Sequence, residues 1–186
     1  MTSRLLTACG IAGPGAFVAA WVVDGLATSG CSPVEQTISQ LAREGARTAP
    51  LMTAGFVSFG LLVPAYAWAL GRELGARPAQ LAATVSGLAT LGVAALPLSR
   101  AGGQPVDTWH AVAAGTGYVA QALAPLLGAR ALGRARTASY AVSAVAAAAL
   151  AGSVLVPELA GGLQRVGLTA VDAWFAAVAV HLLRRR

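Results

Sequence analysis

Six apolar stretches, each long enough to cross a lipid bilayer, occupy most of this 186-residue chain, and short polar breaks separate them. A membrane-spanning helix needs about 20 predominantly apolar residues. Lipid leaves no alternative to the helix here, because every backbone polar group must be satisfied within its own segment. The sequence therefore predicts an all-α integral membrane protein, a compact bundle of six transmembrane helices in one domain over residues 1–186. The predicted spans are residues 5–28, 49–71, 79–99, 108–129, 137–156 and 163–183.

The amino-acid composition agrees with a membrane protein. Charged residues make up 11% of the chain and hydrophobic residues 56%, whereas an ordinary soluble domain is roughly 25% charged. Alanine and glycine are prominent among the apolar residues, and such small side chains let helices approach closely in lipid. The net charge of +6 comes from arginines in short loops. We expect these arginines to set the membrane topology and not to bind nucleic acid.

The arginines divide unevenly between the two ends of the predicted bundle. Cytoplasmic loops are enriched in basic residues, so the end with more arginines is predicted to face the cytoplasm. Both termini then lie on the cytoplasmic side of a bacterial cytoplasmic (inner) membrane. The arginine-rich end carries Arg4, Arg72, Arg77, Arg130, Arg134, Arg136, Arg184, Arg185 and Arg186, and the outer end carries Arg43, Arg47, Arg100 and Arg165.

The longest break, residues 29–48, is called the outer loop below. Within it, residues 33–44 have helical character, because Val34, Ile38 and Leu41 recur with helical spacing. The pattern predicts an amphipathic helix that lies on the membrane interface or folds over the bundle as a lid.

Two aspartates are predicted to lie at membrane depth, where ionisable side chains are costly and are candidates for function by default. Asp24 lies near the outer end of the first span, and Asp172 lies well inside the sixth. An aspartate near a helix end can also simply reach the lipid headgroups, and one inside a bundle can simply join two helices. Packing therefore stays an alternative to function for both residues.

Two stripes of polar side chains follow helical spacing. One consists of Arg165, Thr169 and Asp172 on the sixth span, and the other of Asp107, His110 and Gln121 on the fourth. With Asp24, with Glu35 in the outer loop and with Glu158 before the sixth span, most of these residues map to the outer half of the bundle. This one-sided distribution predicts a cavity that opens toward the outer leaflet or the outer surface. For His110, a simple place in the interfacial aromatic belt beside Trp109 is the alternative.

Motifs for familiar cofactors and metals are absent from the sequence. It contains no phosphate-binding loop, no dinucleotide fingerprint and no paired histidine or cysteine spacing for a metal. We therefore predict neither a cofactor nor a metal.

Several short segments form a recognisable set: Ser32-Pro33, residues 37–41, residues 52–56, Leu96-Pro97, His110-Ala111 and residues 162–165. Together they resemble a bacterial membrane family known only as domain of unknown function 998 (DUF998). The resemblance covers nearly the whole chain and implies a six-helix membrane protein, with no established activity. The family usually has Asp at the position of Gln40 and Gly at that of Ala42, so a shared role of the outer loop does not follow.

The first functional hypothesis is an intramembrane acid–base enzyme that acts on an isoprenoid or other lipid-like molecule, as small membrane-bound terpene cyclases and isomerases do. A carboxyl group shielded among apolar side chains keeps its proton and can donate it, and aromatic faces can stabilise a carbocation. Asp24 or Asp172 is the predicted acid. The predicted helpers are Glu35, His110 and Glu158, the predicted walls are Trp21, Trp109 and Trp174, and the other predicted substrate contacts are Asp107, Gln121, Arg165 and Thr169.

Two alternatives use the same residues differently. In a lipid or small-molecule transporter or flippase, the polar cluster would bind a headgroup or a proton. In an accessory membrane subunit, it would hold helices together without chemistry. The expected partner is membrane lipid or an isoprenoid-like small molecule, and a homo-oligomer is possible.

Overall fold

The computed structural model describes residues 2–30 and 32–185, and over these ranges all regular structure is helical, without a strand. Each long helix lies within a few residues of its predicted span, and the largest difference is at the end of the third, Ala95 against the predicted Ser99. The prediction of an all-helical protein is therefore confirmed. In these ranges the long helices are α1 (Thr2–Ala27), α3 (Ala49–Leu74), α4 (Arg77–Ala95), α5 (Pro105–Gly128), α6 (Arg136–Leu155) and α7 (Ala160–Arg184), and α2 (Ile38–Leu41) is a single turn.

Five helical segments of the described chain are long and apolar enough to cross a membrane. One of them, Pro105–Leu155, has 51 residues because a 3₁₀ segment, Ala129–Ala135, joins α5 directly to α6. Gly133 breaks the helical path within that joint, with φ +53° and ψ −109°. A positive φ is cheap only for glycine, so this residue allows the chain to reverse between two long helices. Arg186, which the prediction placed at the arginine-rich end, lies outside the described residues.

The long helices form a closed ring in which each packs on the next in sequence, and α7 returns to α1. α7 also contacts α3 and α5, so α7 lies near the centre, and α3 and α7 are the most deeply buried helices. The ring of Phe175 on α7 meets that of Tyr66 on α3 edge-on, with 5.8 Å between centroids. Edge-to-face contact is a favoured geometry for aromatic pairs. The residues of α7 are therefore the best placed to connect different parts of the bundle.

Glycines set the separation between α3 and α4. A Cβ atom added to Gly87 would overlap the ring of Pro64, and one added to Gly60 would lie 2.5 Å from the Leu91 side chain. Lipid gives no hydrophobic drive for helices to associate, so close packing across small residues has to supply the attraction.

The prediction of a continuous amphipathic helix in the outer loop is wrong. Only Ile38–Leu41 is helical, and Val34 is 47% exposed while Ile38 and Leu41 are buried. The backbone of residues 33–38 bonds to α7 instead, as described below, and this tertiary pairing replaces the hydrogen bonds that a helix would have made. The loop does fold over the bundle.

Replacing Gly87 with alanine is expected to destabilise the protein, because the new methyl group collides with Pro64. Overpacking of this kind costs about 1–3 kcal/mol, partly offset by a helix-propensity gain of about 1 kcal/mol. Thermal unfolding in detergent, followed by circular dichroism, measures the effect. Gly115→Ala is the matched control, since a Cβ there meets nothing within 4 Å. Equal melting temperatures for the two variants would contradict close α3–α4 packing.

Candidate functional site

The first turns of α7 hold the outer loop down. The Nη1 atom of Arg165 donates to the carbonyl oxygens of Pro33 at 2.7 Å and Gln36 at 2.6 Å, and it also reaches the Gly161 carbonyl at 3.1 Å. The Ile38 N–H donates to the Gln164 side chain at 2.6 Å. These contacts fix α2 above the bundle. We call this set of contacts the α7 clasp.

Glycine and tryptophan complete the α7 clasp. A Cβ atom at Gly161 would overlap the Gln36 carbonyl, and the Gly162 N–H donates to the Val34 carbonyl at 2.8 Å. The Arg165 guanidinium lies over the ring of Trp21 on α1, 5.5 Å from its centroid, which is a cation–π distance. Two predicted ligand-binding residues, Arg165 and Trp21, therefore contact each other and support the loop.

Asp107 and His110 tie α5 to the end of α4. Both carboxylate oxygens of Asp107 accept hydrogen bonds, from the Ser99 N–H and hydroxyl at 2.7 Å each and from the Gln104 N–H at 2.9 Å. The last of these bonds is half of a capping box at the start of α5. The Nδ1 atom of His110 bonds to the Leu96 carbonyl at 2.6 Å. The connection between the two helices accounts for Asp107 and for Nδ1 of His110, whereas Nε2 of His110 is buried without a hydrogen-bond partner in the described part of the chain.

Asp172 is the centre of a polar chain that crosses the middle of the bundle. Gln121 on α5 donates from Nε2 to Oδ1 of Asp172 at 2.9 Å, and Ser86 on α4 donates to Oε1 of Gln121 at a longer 3.4 Å. All three are buried. The second carboxylate oxygen of Asp172, Oδ2, is buried and accepts no hydrogen bond from the described part of the chain. Asp172 lies roughly 10 Å deeper along α7 than Arg165, at mid-depth and not in the outer half.

A small aromatic cavity, with about 40 Å³ open to the centres of water-sized molecules, lies above this polar chain. Its walls come from α1, α3, α4, α5 and α7, and two residues of the outer loop, Ile38 and Ser39, also line it. The ring of Phe17 is 5.7 Å from that of Phe56 and 5.6 Å from that of Phe59, between centroids. The full lining is Phe17, Ile38, Ser39, Phe56, Phe59, Thr90, Val93, Ala113, Ala114, Gly117, Tyr118, Gln121 and Leu168.

A second small cavity, with about 20 Å³ open to the centres of water-sized molecules, lies on the α6 side. It shares Tyr118, Gln121 and Leu168 with the aromatic cavity, so these side chains stand between the two. Gln121 therefore faces both cavities while it bonds to Asp172. Asp172 itself does not line either cavity among the described residues and lies behind Gln121.

The second cavity adjoins a groove on the outside of the bundle between α5 and α6. The groove and the second cavity share two lining residues, Ala122 and Leu150. The other groove residues include Leu123, Val154 and Leu155, which are exposed apolar side chains. In a membrane this groove would face acyl chains. The two shared residues therefore stand between the groove and the second cavity.

The structure disperses the other residues predicted for the site. Asp24 is buried, and its Oδ2 accepts no hydrogen bond within the described ranges, but it does not line the aromatic cavity. Glu35 and Glu158 are exposed, as is Trp109 at 63%, and Thr169 is half-buried. Trp174 lies toward the opposite end of the bundle, where its Nε1–H donates to the Ser139 hydroxyl at 2.9 Å.

The aromatic walls escaped the sequence reasoning. Phe17, Phe56, Phe59 and Tyr118 stand in apolar runs where a cavity wall and a packed core have the same pattern. Sequence reasoning chose tryptophans as the walls instead, and none of Trp21, Trp109 and Trp174 lines the aromatic cavity.

The segments that carry the family resemblance meet in pairs. Residues 32–41 contact residues 161–165 through the α7 clasp, and Leu96 contacts His110. A family model described as "Protein of unknown function (DUF998)" matches residues 11–181. No curated protein matches the chain, and neither does any solved structure.

Replacing Arg165 with methionine is expected to loosen the outer loop, because the backbone carbonyls of residues 33 and 36 lose their donor. Each buried polar group left unsatisfied costs about 1–3 kcal/mol. Hydrogen–deuterium exchange should rise by at least tenfold at residues 33–42 and stay unchanged in α4. Arg47→Met, an exposed charge in the same loop, is the control. Unchanged exchange in the Arg165 variant would show that the clasp does not hold the loop.

Proposed function

Since the chain belongs to the DUF998 family, which has no assigned activity, we propose its function from the site: it binds an isoprenoid or lipid-like molecule in the aromatic cavity and acts on it as an acid–base enzyme. The observation that carries the proposal is the position of Gln121, which faces both cavities and bonds to a buried carboxyl group. Cofactor sites and ligand sites are typically apolar concavities with a few polar groups. The lining of the aromatic cavity fits this description, and a ligand would have to widen the cavity, because only about 40 Å³ is open to the centres of water-sized molecules there.

The proposed reaction is a proton transfer to a carbon–carbon double bond. The Asp172 carboxyl gives its proton to one alkene carbon, a C–H bond forms, and the neighbouring carbon becomes a cation. The faces of Phe17, Phe56 and Phe59 stabilise this charge. Loss of a proton from an adjacent carbon to the Asp172 carboxylate then gives an isomerised or cyclised product and restores the acid. Because Gln121 stands between Asp172 and the cavity, its side chain must rotate before the transfer.

A lipid carrier or flippase is the second candidate, and the position of Asp172 behind Gln121 favours it. A ligand in either cavity would touch the Gln121 amide, which can bind a headgroup without any chemistry. A ligand that entered from lipid by way of the groove between α5 and α6 would suit a carrier as well as an enzyme. An accessory subunit would need neither the cavities nor the groove.

We also propose that the protein crosses a bacterial inner membrane six times, with both termini in the cytoplasm. The support is the uneven distribution of arginines and the reversal at Gly133, which divides the 51-residue helical segment into two lengths that each suffice to span.

Replacing Asp172 with asparagine is expected to abolish turnover and to preserve ligand binding. The asparagine oxygen still accepts the Gln121 hydrogen bond, but the side chain has no acidic proton, and such a loss costs about 10²–10⁴-fold in rate. Turnover of polyprenyl substrates by membranes and the ligand retained in native mass spectrometry are measured together. Asp24→Asn is the comparison, and we expect it to keep its activity. Full activity in both variants would refute the proposal that a buried aspartate is the catalytic acid.

Blocking the aromatic cavity is expected to remove the bound molecule. Ala114→Phe adds a ring to the cavity wall, whereas Ala111→Phe adds the same ring to an exposed position of the same helix. Native mass spectrometry with extraction should find an isoprenoid or lipid in the wild type and in Ala111→Phe, and not in Ala114→Phe. The same bulk lipid in all three proteins would mean that the cavity binds nothing specific.

Reporter fusions test the proposed topology. Alkaline phosphatase fused after Arg186 is expected to be inactive, because it folds only outside the cytoplasm, while the same enzyme inserted at Gly103 should be active. An active C-terminal fusion would contradict the even number of crossings or the proposed orientation.

A further inference from the structure

Another groove lies at the arginine-rich end, away from the two cavities of the proposed function. It has a volume of about 480 Å³ and lies between the start of α6, the end of α7 and the 3₁₀ segment Ala129–Ala135. Among the described residues it shares no lining residue with the two inner cavities. The groove is therefore a separate surface feature.

The rim of this groove is basic. Arg134, His181 and Arg185 line it, and all three side chains are exposed. No carboxylate lines the groove within the described ranges. α6 begins at Arg136, so the positive end of its dipole also points to this side. The rim is built to attract an anion.

The wall of the groove is apolar. Leu132, Ala138, Trp174, Ala177 and Val178 line it. The Trp174 Nε1–H already donates to the Ser139 hydroxyl, so it does not need a hydrogen-bond acceptor from a molecule bound in the groove. Ala138 and Ala177 are exposed and belong to helices long enough to span a membrane. This wall suits an acyl chain, which a free phosphate ion does not have.

We infer that the groove binds an anionic phospholipid, with the phosphate at Arg134 and Arg185 and the first part of an acyl chain along α7. Guanidinium groups bind phosphate oxygens by paired, charge-assisted hydrogen bonds. Basic pockets between transmembrane helices near a membrane surface are a recognised form of headgroup site. Zwitterionic lipids should bind to the groove less tightly, because the positive charge of their headgroup would lie beside the arginines and repel them.

Native mass spectrometry of the purified protein, titrated with phosphatidylglycerol or with phosphatidylcholine, tests the site. We expect the wild type to bind phosphatidylglycerol at least tenfold more tightly. The double variant Arg134→Gln/Arg185→Gln should weaken this binding about 30-fold, from roughly 1 kcal/mol for each arginine near the surface. The matched control, Arg72→Gln/Arg77→Gln, removes the same charge from exposed positions at the same end and should change the affinity less than threefold.

A second variant tests the groove without altering its charge. Ala177→Trp fills the apolar wall and should weaken phosphatidylglycerol binding at least tenfold, whereas inorganic phosphate at millimolar concentration should not displace the lipid. Equal binding of the two lipids, equal losses in the two double variants, or full binding by Ala177→Trp would each overturn the proposal. Ala114→Phe, which blocks the aromatic cavity, should leave phosphatidylglycerol binding intact, so failure of the proposed function and failure of this site are distinguishable.

Discussion

Backbone hydrogen bonding without water is the constraint on which the rest of this structure depends. In hydrocarbon, a peptide group left unsatisfied costs several kcal/mol, so the apolar stretches become helices. The outer loop is not helical over most of its length. Where its backbone packs against α7, other parts of the protein must supply the hydrogen-bond partners. Arg165, Gln164 and Gly162 do this from the first turns of α7. The helix at the centre of the bundle thus also holds in place the outer loop, whose Ile38 and Ser39 line the aromatic cavity.

The fold was largely predictable because hydrophobic length is a local property. The spans agree with the helices to within a few residues, including the last two. The outer loop was not predictable in the same way. The spacing of Val34, Ile38 and Leu41 is helical, but the hydrogen bonds that decide its structure come from residues more than a hundred positions away, such as Arg165. No local pattern carries that information.

The candidate site was predictable in part, and the division follows the type of residue. Polar residues in apolar runs are conspicuous, so Gln121 and Asp172 were chosen from separate helices, and the fold brings them within hydrogen-bonding distance. Phenylalanines in apolar runs are ordinary, so Phe17, Phe56 and Phe59 carried no signal. Whether an aromatic ring faces a cavity or a neighbouring helix depends on how helices pack, which periodicity alone does not determine.

The two aspartates of the polar stripes differ in how many of their carboxylate oxygens accept hydrogen bonds. Both carboxylate oxygens of Asp107 accept hydrogen bonds at the junction between α4 and α5, as expected of a residue that stabilises the connection between two helices. Asp172 uses one oxygen and leaves the other buried without a donor from the described residues.

A carboxyl group kept only to hold helices together would gain from a second donor, since an unsatisfied buried polar atom costs about 1–3 kcal/mol. The deficit at Asp172, which Asp24 and His110 share, is therefore unexpected for packing alone. The proposed function would account for it at Asp172, because an acid must exchange a proton or a hydrogen bond with a visiting molecule. In that proposal Gln121, which faces both cavities, is the contact between the visiting molecule and the carboxyl group.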